Sequence, residues 1–462
     1  MPETAGSSVI TMQVVMEYPL QEDLNGDIRP NLATSYDLVS DPNSPSITLR
    51  LRKGVKFQDG TDFNAQAVKW NFDQVKASTL NASTTVYWKS IDIVDDYTVK
   101  VTLTQWQNRQ LRSFANPSSI ICSPTAFQKN GIDWMRWHMV GTGAFTQTDF
   151  QRDVSLTTVK NPNYWDPGKP YLDGFQLIYV SDELTRLALF KSGGADILDL
   201  AGNARAASDL QNSGYQILTR PSGTDMLIPD SANADSPWSN IKVRQAAEYA
   251  VDKETLVKAL GFGFQQAAYE MPSPDSKAYI PNIAGRKYDV AKAKQLLTEA
   301  GYPNGFKTKI IAQTTANRDI VVALQSYLSK AGIQADLEFA DASKFQAYQT
   351  GTWSNGLIYT NIIHYPNYNA VLAQWFGVPS SWFKSMKRPD GWDGIVNATL
   401  ISLNQEPALM QKAVQALYDD TTTIPLDYGT SLWVTTNKVH DSGVGTRGSS
   451  TQWNSQNAWL SK

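Results

Sequence analysis

The sequence predicts an α/β protein with more than one domain, and three observations lead to this prediction. Its 462 residues, of which 42% are hydrophobic, suffice for two or three separately folded cores. Residues 46–180 repeatedly alternate apolar and polar side chains, as strands do. Beyond residue 241 the apolar residues recur at helical spacing instead, with capping residues at their ends. We therefore expect a strand-rich first half and an α/β second half.

The basic stretch "LRLRKGVKFQDGTDFNAQAVKWNFDQVK", residues 49–76, predicts a strand, a turn and a helix. Alternation in "ITLRLR" places the arginines on one face of the strand and the apolar residues on the other. Asp59 and Gly60 are typical turn residues, and Asn64 is suited to cap the following helix. Because acidic residues are interleaved with the basic ones, we interpret the stretch as solvated surface rather than a nucleic-acid site.

The second half predicts helices that lead into a βαβ unit. Asp252 and Asp289 are placed to cap the helices of "KETLVKAL" and "VAKAKQLLTEA", and Gly261 and Gly301 to end them. The strand "TKIIAQ" is followed by a helix that stops at Gly332 and by the strand "ADLEFA". This order favours parallel pairing of the two strands.

Composition excludes several classes of protein. With 41 basic and 44 acidic residues, the net charge of -3 gives no general attraction to nucleic acid. No apolar run approaches the ~20 residues of a spanning helix, and "MPETAGSSVI" lacks the pattern of a signal peptide. The single cysteine, Cys122, lies in the apolar run "SSIICSP" and is interpreted as a buried thiol rather than a nucleophile.

Catalytic patterns are scarce, so we predict a protein that is not an enzyme and needs no cofactor or metal. His138, His364 and His440 are too far apart for a local zinc motif, and no G-x-S-x-G motif is present. "GVGTRG" at 443–448 matches a dinucleotide-binding pattern, but fewer than twenty residues follow it. That is too short for the helix and strand the motif requires, so it is predicted to be a loop.

An aromatic segment is the strongest indication of a binding site. Nine rings fall within forty residues that are also rich in Asn, Ser and Gly: Trp353, Tyr359, Tyr365, Tyr368, Trp375, Phe376, Trp382, Phe383 and Trp392. Such rings suit the wall of a cleft, and the alternative for each single ring is a place in the core.

Several stretches together resemble extracellular solute-binding proteins of family 5, the oligopeptide, dipeptide and nickel receptors of ABC importers. The basic stretch, preceded by "IRPNLATSYDLVS", is followed in the family's order by "DDYTVKVTL", "VGTGAFTQTDF", "NPNYWDPGKPYLDGFQLIYVSDELTRLALFKSGGADIL", "SNIKVRQAAEYAVDKETLVKAL", "AKQLLTEAGYPNGF" and "TIPLDYG". The resemblance runs nearly end to end. The family's strand before "SSVITMQVVMEYPL" is the part we expect to be missing.

The resemblance implies a class II periplasmic-binding-protein-like clamp, or Venus flytrap, made of α/β lobes with an extra domain. Domain I would comprise residues 1–17, 115–240 and 430–462, domain II residues 18–114, and domain III residues 241–429. A small organic or peptide-like solute would be held between lobes that close on it, and the closed form would dock on a membrane permease. The family further implies a monomer without nucleic-acid partners, periplasmic or extracellular and attached to the cell surface.

The family pattern changes where its peptide binders hold the free amino group of the peptide. Counted from Pro366, the aspartate of their W-x-x-D stretch is replaced by Ile362 and the tryptophan by Tyr359, with Asn361 as the nearest polar residue. Because a buried ammonium without a carboxylate is costly, we expect a neutral or anionic solute, such as a blocked peptide or a short glycoside.

By this resemblance the predicted ligand-binding residues come from three regions. They are Tyr359, Asn361, His364, Trp375 and Trp382; Asn116 and Ser118, on either side of Pro117; and Asp427 with Tyr428. Asp427 could equally be a structural partner of a backbone N–H. A hydrolase of glycosides or peptides with an aromatic cleft remains the alternative function, and a receptor that signals to a sensor protein is not separated from one that serves transport.

Overall fold

A computed structural model of the chain describes residues 12–23, 27–78, 82–365, 367–377, 382–403, 406–444 and 455–462. Pro366 and the greater part of "GVGTRG", from residue 445, lie outside these ranges. Contacts divide the chain into two compact units. Unit 1 comprises Met1–Asp199, Gly214–Leu218 and Trp433–Lys462, and unit 2 comprises Leu200–Ser213 and Thr219–Leu432. The division into three domains stays a prediction.

Unit 1 contains small antiparallel sheets. Its strands up to residue 199 are β1 (Leu20–Glu22), β2 (Ile28–Pro30), β3 (Ala33–Val39), β4 (Ser46–Leu51), β5 (Trp88–Asp95), β6 (Thr98–Leu103), β7 (Phe145–Gln151), β8 (Ser155–Lys160), β9 (Gly174–Ile178) and β10 (Ile197–Asp199). A four-stranded sheet has the order β3-β4-β6-β5, and a three-stranded sheet the order β7-β8-β9. The predicted strands at "SITLRLR", "TVKVTLT", "VSLTTVK" and "FQLIYVS" are thereby confirmed.

The helices of unit 1 lie at Ala65–Ala77, Ala82–Thr85, Arg109–Arg112, Pro124–Met135 and Glu183–Lys191, and the first of them packs on β5 and β6. Asn64 caps the first of them as predicted, because its side-chain oxygen accepts the Ala67 N–H at 3.0 Å. The basic stretch is surface architecture here, since exposed Arg50 pairs with Asp37 across the sheet. Cys122 is free and fully buried, and burial raises the pKa of its thiol, as an inert cysteine requires.

Unit 2 is built on one mixed sheet. Its strands are β11 (Gln216–Pro229), β12 (Gln266–Ala267), β13 (Phe306–Gln313), β14 (Ile333–Ala340), β15 (Gly356–Ile363) and β16 (Ile424–Thr435). Its strands pair in the order β16-β11-β15-β13-β14, with β12 also pairing to β16. β10 pairs with the Trp433–Thr435 end of β16, and both of these segments are counted in unit 1. β13 and β14 are parallel, which confirms the predicted βαβ unit. β17 (Val439–His440) and β18 (Trp459–Leu460) pair near the end of the chain, in unit 1.

The helices of unit 2 lie at Ala204–Asn212, Ile241–Ala250, Lys253–Leu260, Val290–Glu299, Arg318–Ala331, Ala342–Thr350, Tyr368–Val371, Trp392–Ile401 and Pro407–Asp419. Asp252 and Asp289 cap their helices as predicted. Gly332 ends Arg318–Ala331 with a φ of 102°, a left-handed conformation that favours glycine. Within the described residues, no helix combines the length and apolarity needed to cross a bilayer.

Two apolar cores flank the sheet of unit 2. One includes Met226, Ile358 and Ile362 together with most rings of the aromatic segment, and the other includes Leu227, Leu357 and Tyr359. The division follows the strand period, because neighbouring residues of β11 and β15 point to opposite faces. A polar side chain on the same face of β11 or β15 as these core residues is therefore buried and needs a hydrogen-bond partner.

Candidate functional site

Three neighbouring strands bring polar side chains together on one face of the sheet. Asp225 on β11 lies opposite Asn361 on β15, and the Asn361 amide donates to Asp225 Oδ1 at 2.8 Å. Asp427, on the other neighbour β16, shares a hydrogen bond with the Asp225 carboxyl. The strand order thus places two carboxyl groups and one amide side by side.

The two carboxyl groups cannot both ionise cheaply, because they lie in contact and away from solvent. Burial raises the pKa of Asp225 to about 6. Burial, and then the neighbouring charge of Asp225, raise the pKa of Asp427 well above its usual range. Burial and their mutual hydrogen bond therefore favour keeping a proton on the pair, as is typical of directly hydrogen-bonded carboxyls.

Two glycines make room for the Asn361 amide. A Cβ at Gly223 would lie 2.5 Å from Asn361 Oδ1, and a Cβ at Gly429 would lie 3.1 Å from its Nδ2. Tyr359, two residues earlier on the same face, is only 7% exposed and packs in the core beside Leu227. This face is accordingly filled: Asn361 is engaged by Asp225, and Tyr359 is surrounded by core side chains.

A different arrangement surrounds Glu270. β12 pairs with β16 opposite Tyr428, and the chain then continues into an irregular segment that begins near Glu270. The Tyr428 hydroxyl is hydrogen-bonded to the Glu270 backbone. Glu270 Oε2 accepts the Ile280 N–H at 3.0 Å, which folds the segment back on itself. Its other oxygen, Oε1, is buried without a hydrogen-bond partner among the described residues.

Electrostatics agree with this description of Glu270. Burial raises the pKa of the Glu270 carboxyl to about 7. Tyr368 and Tyr428 lie close enough that the Glu270 charge raises the pKa of both phenols further. Glu270 is thus a carboxyl group with one open oxygen, whose charge acts on two tyrosines.

His364, one residue beyond the end of β15, lies near Met271, the neighbour of Glu270 in sequence, and one of its ring nitrogens has no partner among the described residues. Thr224 Oγ1 donates its one proton to the Met271 carbonyl and lies 2.9 Å from His364 Nε2. The hydroxyl must therefore accept from Nε2–H, which leaves Nδ1 as an unprotonated acceptor. Nδ1 is buried without a partner among the described residues, and burial lowers the pKa of His364 to about 4, so the ring is neutral.

The segment that follows has more open polar atoms. Helix Tyr368–Val371 continues directly into a π-helical turn, Leu372–Phe376, a conformation that is frequent at functional sites. The Tyr368 hydroxyl, both side-chain polar atoms of Asn369 and Trp375 Nε1 are buried, and none has a hydrogen-bond partner within the described part of the chain. The indole of Trp375 packs on Trp382 with ring centroids 4.6 Å apart.

We call Glu270, His364, Tyr368, Asn369 and Trp375 the unpartnered polar cluster. The rings of His364 and Tyr368 lie 5.7 Å apart in an edge-to-face arrangement, and the Glu270 charge acts on Tyr368. An open buried polar atom costs about 1–3 kcal/mol. Several of them in one region are expected where a ligand supplies the missing hydrogen bonds.

The structure brings together only some of the predicted site residues. His364 and Trp375 belong to the unpartnered polar cluster, and Tyr428 and Trp382 adjoin it. Tyr359, Asn361 and Asp427 lie with Asp225 around the carboxyl pair.

Asn116 and Ser118 belong to unit 1, where their contacts are local. Asn116 Oδ1 accepts the Ser118 N–H at 2.9 Å, and Ser118 Oγ lies 3.3 Å from Thr84 Oγ1. Their predicted role in binding stays a prediction.

Sequence reasoning missed Glu270 and Asn369 as site residues, and it included Tyr368 only as one ring of the aromatic segment. Glu270 lies outside that segment, directly before the Pro- and Ser-containing stretch "MPSPDS". Most of the aromatic rings, including Trp353, Phe376 and Phe383, fill the core instead of lining a site. The usable signal was the run of Asn and His between the rings, since polar residues inside a buried segment need partners.

A separate cavity of about 600 Å³ lies elsewhere in unit 2, lined in part by Lys309, Tyr348 and Ser385. Its central polar groups already have partners within the protein. Lys309 pairs with Glu338 at 3.3 Å, and Ser385 Oγ accepts from the Trp353 N–H and donates to its carbonyl. We therefore place the candidate site at the unpartnered polar cluster.

Comparison with known proteins identifies the family of the chain. Residues 27–388 match the family model described as bacterial extracellular solute-binding proteins, family 5. The glutathione-binding protein GsiB of Escherichia coli O1:K1 is 33% identical over 326 residues, which are 69% of this chain and 62% of GsiB. The chain thus spans about 62% of the length of that relative.

Solved structures match over nearly the whole chain. DppA of Helicobacter pylori, in complex with the peptide STSA, is 25% identical with a TM-score of 0.79, over 99% of this chain and 94% of DppA. NikA of Brucella suis, in complex with Fe(III)-EDTA, is 20% identical with a TM-score of 0.81, over 99% of this chain and 95% of NikA. The predicted class II periplasmic-binding-protein fold is confirmed by these matches, and the chain belongs to the bacterial extracellular solute-binding proteins of family 5.

Proposed function

We propose that the chain is the solute receptor of an ABC importer, which captures a small organic solute and delivers it to a membrane permease. Family membership supports a binding protein, and the named relatives bind glutathione, a peptide or a metal chelate. The importer and the permease come from the family resemblance. We further propose that it is a monomer, periplasmic or extracellular and attached to the cell surface; the family description supports the extracellular or periplasmic location.

The unpartnered polar cluster is the observation that supports this function most. Glu270 Oε1 and His364 Nδ1 are open acceptors, Trp375 Nε1 is an open donor, and Asn369 has one of each. A solute that satisfies several of them removes the cost of burying them unpaired, and the gain appears as affinity. Micromolar binding needs about -8 kcal/mol, which a few such bonds and stacked rings can supply.

The carboxyl pair does not favour the alternative of a glycoside hydrolase. Such enzymes hold their two carboxyl groups about 5 to 9.5 Å apart, with the sugar between them. Asp225 and Asp427 are instead hydrogen-bonded to each other, and Asp427 is 1% exposed. We therefore propose that the pair has no catalytic role.

Thermal unfolding of the purified protein against a panel of solutes tests the proposal. The panel holds free and N-acetylated tripeptides, glutathione, short oligosaccharides, nickel–histidine chelates and small organic acids. A compound present at about 100 times its dissociation constant adds ~2.7 kcal/mol to the unfolding free energy and visibly raises the midpoint. A midpoint that no member of the panel raises would contradict the proposal.

A conservative variant connects the raised midpoint to the cluster. Tyr368→Phe keeps the buried ring and removes only the open hydroxyl, so the ligand-free midpoint should be unchanged or slightly higher. The rise that the solute causes should become smaller. Tyr288→Phe, a change at a surface-accessible tyrosine of the same unit, is the matched control and should keep the full rise.

A further inference from the structure

Glu270 differs from the other buried glutamates that the structure describes. Glu17 accepts three hydrogen bonds, from Thr142 Oγ1 at 2.8 Å, the Tyr164 hydroxyl at 3.0 Å and Trp165 Nε1 at 2.8 Å. These three donors lower the pKa of the Glu17 carboxyl and so offset part of the effect of burial, which still raises that pKa to about 7. A buried carboxylate is tolerated when its lone pairs are satisfied in this way.

The remaining two buried glutamates each have a cationic partner. Glu22 pairs with Arg112 at 3.1 Å, and Glu248 lies between Lys253 at 3.2 Å and Arg286 at 2.8 Å. Ion pairing is the usual condition for burying a carboxylate.

Glu270 has neither form of compensation. It is 2% exposed, one oxygen accepts a single backbone N–H, and no described lysine, arginine or histidine forms an ion pair with it. The chain therefore buries a carboxyl group whose counter-ion is absent from its own described residues.

We propose that Glu270 is the counter-ion of a cationic nitrogen on the solute, an ammonium or a guanidinium group. The inference rests on the proposed receptor function and names its solute class, namely organic molecules that contain a free amine or guanidine. Glu270 Oε1 would accept the charge-assisted hydrogen bond from the cation.

The surroundings of Glu270 favour an organic cation over a bare metal ion. The charge of Glu270 acts on the phenols of Tyr368 and Tyr428, and tyrosine rings near a carboxylate attract organic cations. Within the described residues, no group of three or more His, Cys, Asp or Glu side chains is placed to hold a metal ion. A single carboxylate in tyrosine-containing surroundings offers too few oxygen ligands for a metal ion, but it suits an ammonium group.

This inference reverses the solute expected from sequence. We expected no free amine because Ile362 stands where the family's peptide binders have an aspartate. Ile362 indeed lies in the core. The carboxylate comes instead from a segment nearly a hundred residues earlier in the chain, which pairing of β12 with β16 brings beside Tyr428. A motif counted along β15 cannot detect it.

Ligand-free stability gives the first test. Because the Glu270 carboxylate is buried without a counter-ion, Glu270→Gln should keep or raise the unfolding midpoint of the empty protein at pH 8. Glu248→Gln, which breaks a buried ion network, should lower it clearly. If Glu270→Gln lowers the midpoint as Glu248→Gln does, Glu270 has a structural partner and the inference is overturned.

Calorimetric titration of the intact chain gives the second test. The probes are trialanine, agmatine and each panel compound that raises the midpoint, every amine paired with its N-acetyl derivative. An amine-bearing probe should bind wild type about 30-fold or more tightly than its acetylated form, and Glu270→Gln should abolish that preference. Glu254→Gln, at an exposed glutamate of the same unit, should keep it.

The number of protons released on binding provides a third measurement, because a glutamate with only a structural role would not change it. A bound cation favours the ionised carboxylate, so amine binding at pH 7 should release protons and its enthalpy should differ between phosphate and Tris buffers. Tyr368 and Tyr428 stay protonated at this pH, since burial first raises the pKa of both. The buffer dependence should vanish in Glu270→Gln.

The outcomes separate the two proposals. If only amine-free compounds bind, the inference on Glu270 fails and the receptor function stands. If no compound binds, both fail.

Discussion

The ring of Tyr359 was predicted to contact the ligand. In the structure it is surrounded by core side chains. It is 7% exposed and packs with Leu227 and Leu357. Burial, and then the nearby charges of Asp225 and Asp427, raise the pKa of its phenol well above the usual value. These contacts favour a structural role at this residue.

Tyr359→Ala should therefore lower the unfolding free energy of the ligand-free protein by about 3 kcal/mol, because it leaves a large cavity in the core. Tyr359→Phe preserves the ring and should cost less than about 1 kcal/mol. Chemical denaturation without solute measures both values. A Tyr359→Ala protein as stable as wild type but weaker in solute binding would restore the ligand-contact interpretation.

Residue identity alone did not distinguish site from core in the aromatic segment. Trp353 and Trp375 are the same residue type in the same stretch, yet Trp353 Nε1 donates to the Gly356 carbonyl at 3.2 Å while Trp375 Nε1 is open. The difference depends on which backbone carbonyls the fold places nearby. No sequence pattern contains that information.

Among the secondary-structure elements, three neighbouring strands supply the carboxyl pair and the amide that contacts it. Asp225, Asp427 and Asn361 come from β11, β16 and β15, and their proximity follows from strand order and register. Because burial raises the pKa of both acids, ionising them is harder in the folded state than in the unfolded state.

The sign of the resulting pH effect follows directly. A carboxyl whose pKa rises on folding contributes stability that is complete below its unfolded pKa and is lost as the pH rises through its folded pKa. For Asp225 that loss runs from its ordinary pKa up to about pH 6, where it is complete, and Asp427 acts in the same direction. Glu17 and Glu270, whose pKa burial raises to about 7, act in the same direction.

The unfolding midpoint of the ligand-free protein should accordingly fall between pH 5 and pH 8. Asp427→Asn removes one titrating carboxyl and should make the fall smaller, with its largest relative gain at pH 8. Asp133→Asn, at a side chain that is 87% exposed, is the control and should leave the curve parallel to wild type. Parallel curves for Asp427→Asn and wild type would contradict the description of the pair.

Most elements were predictable because local rules determine them. Asn64, Asp252 and Asp289 cap their helices with the side-chain bonds expected of them, and Gly332 has the left-handed conformation of a helix stop. The helix predicted to end at Gly301 ends slightly earlier, at Glu299, with Ala300 as its cap. Boundaries of this kind depend on one backbone hydrogen bond and are less determined by sequence.

At the scale of the whole molecule, the family was predictable and the site only in part. Seven ordered stretches indicated the family that the comparison confirms over residues 27–388. The site needed long-range pairing: Glu270 meets Tyr428 through β12 and β16, and His364 meets Thr224 across 140 residues of sequence. Such contacts depend on tertiary structure, which composition and periodicity do not specify.

The most direct test of the account is a crystal structure of the protein with a solute that raises its unfolding midpoint. We expect solute atoms within about 2.7–3.2 Å of at least two open atoms of the unpartnered polar cluster, among them Glu270 Oε1 for a solute with a free amine. A solute bound elsewhere, with the polar atoms of Tyr368, Asn369 and Trp375 still unpaired, would contradict it.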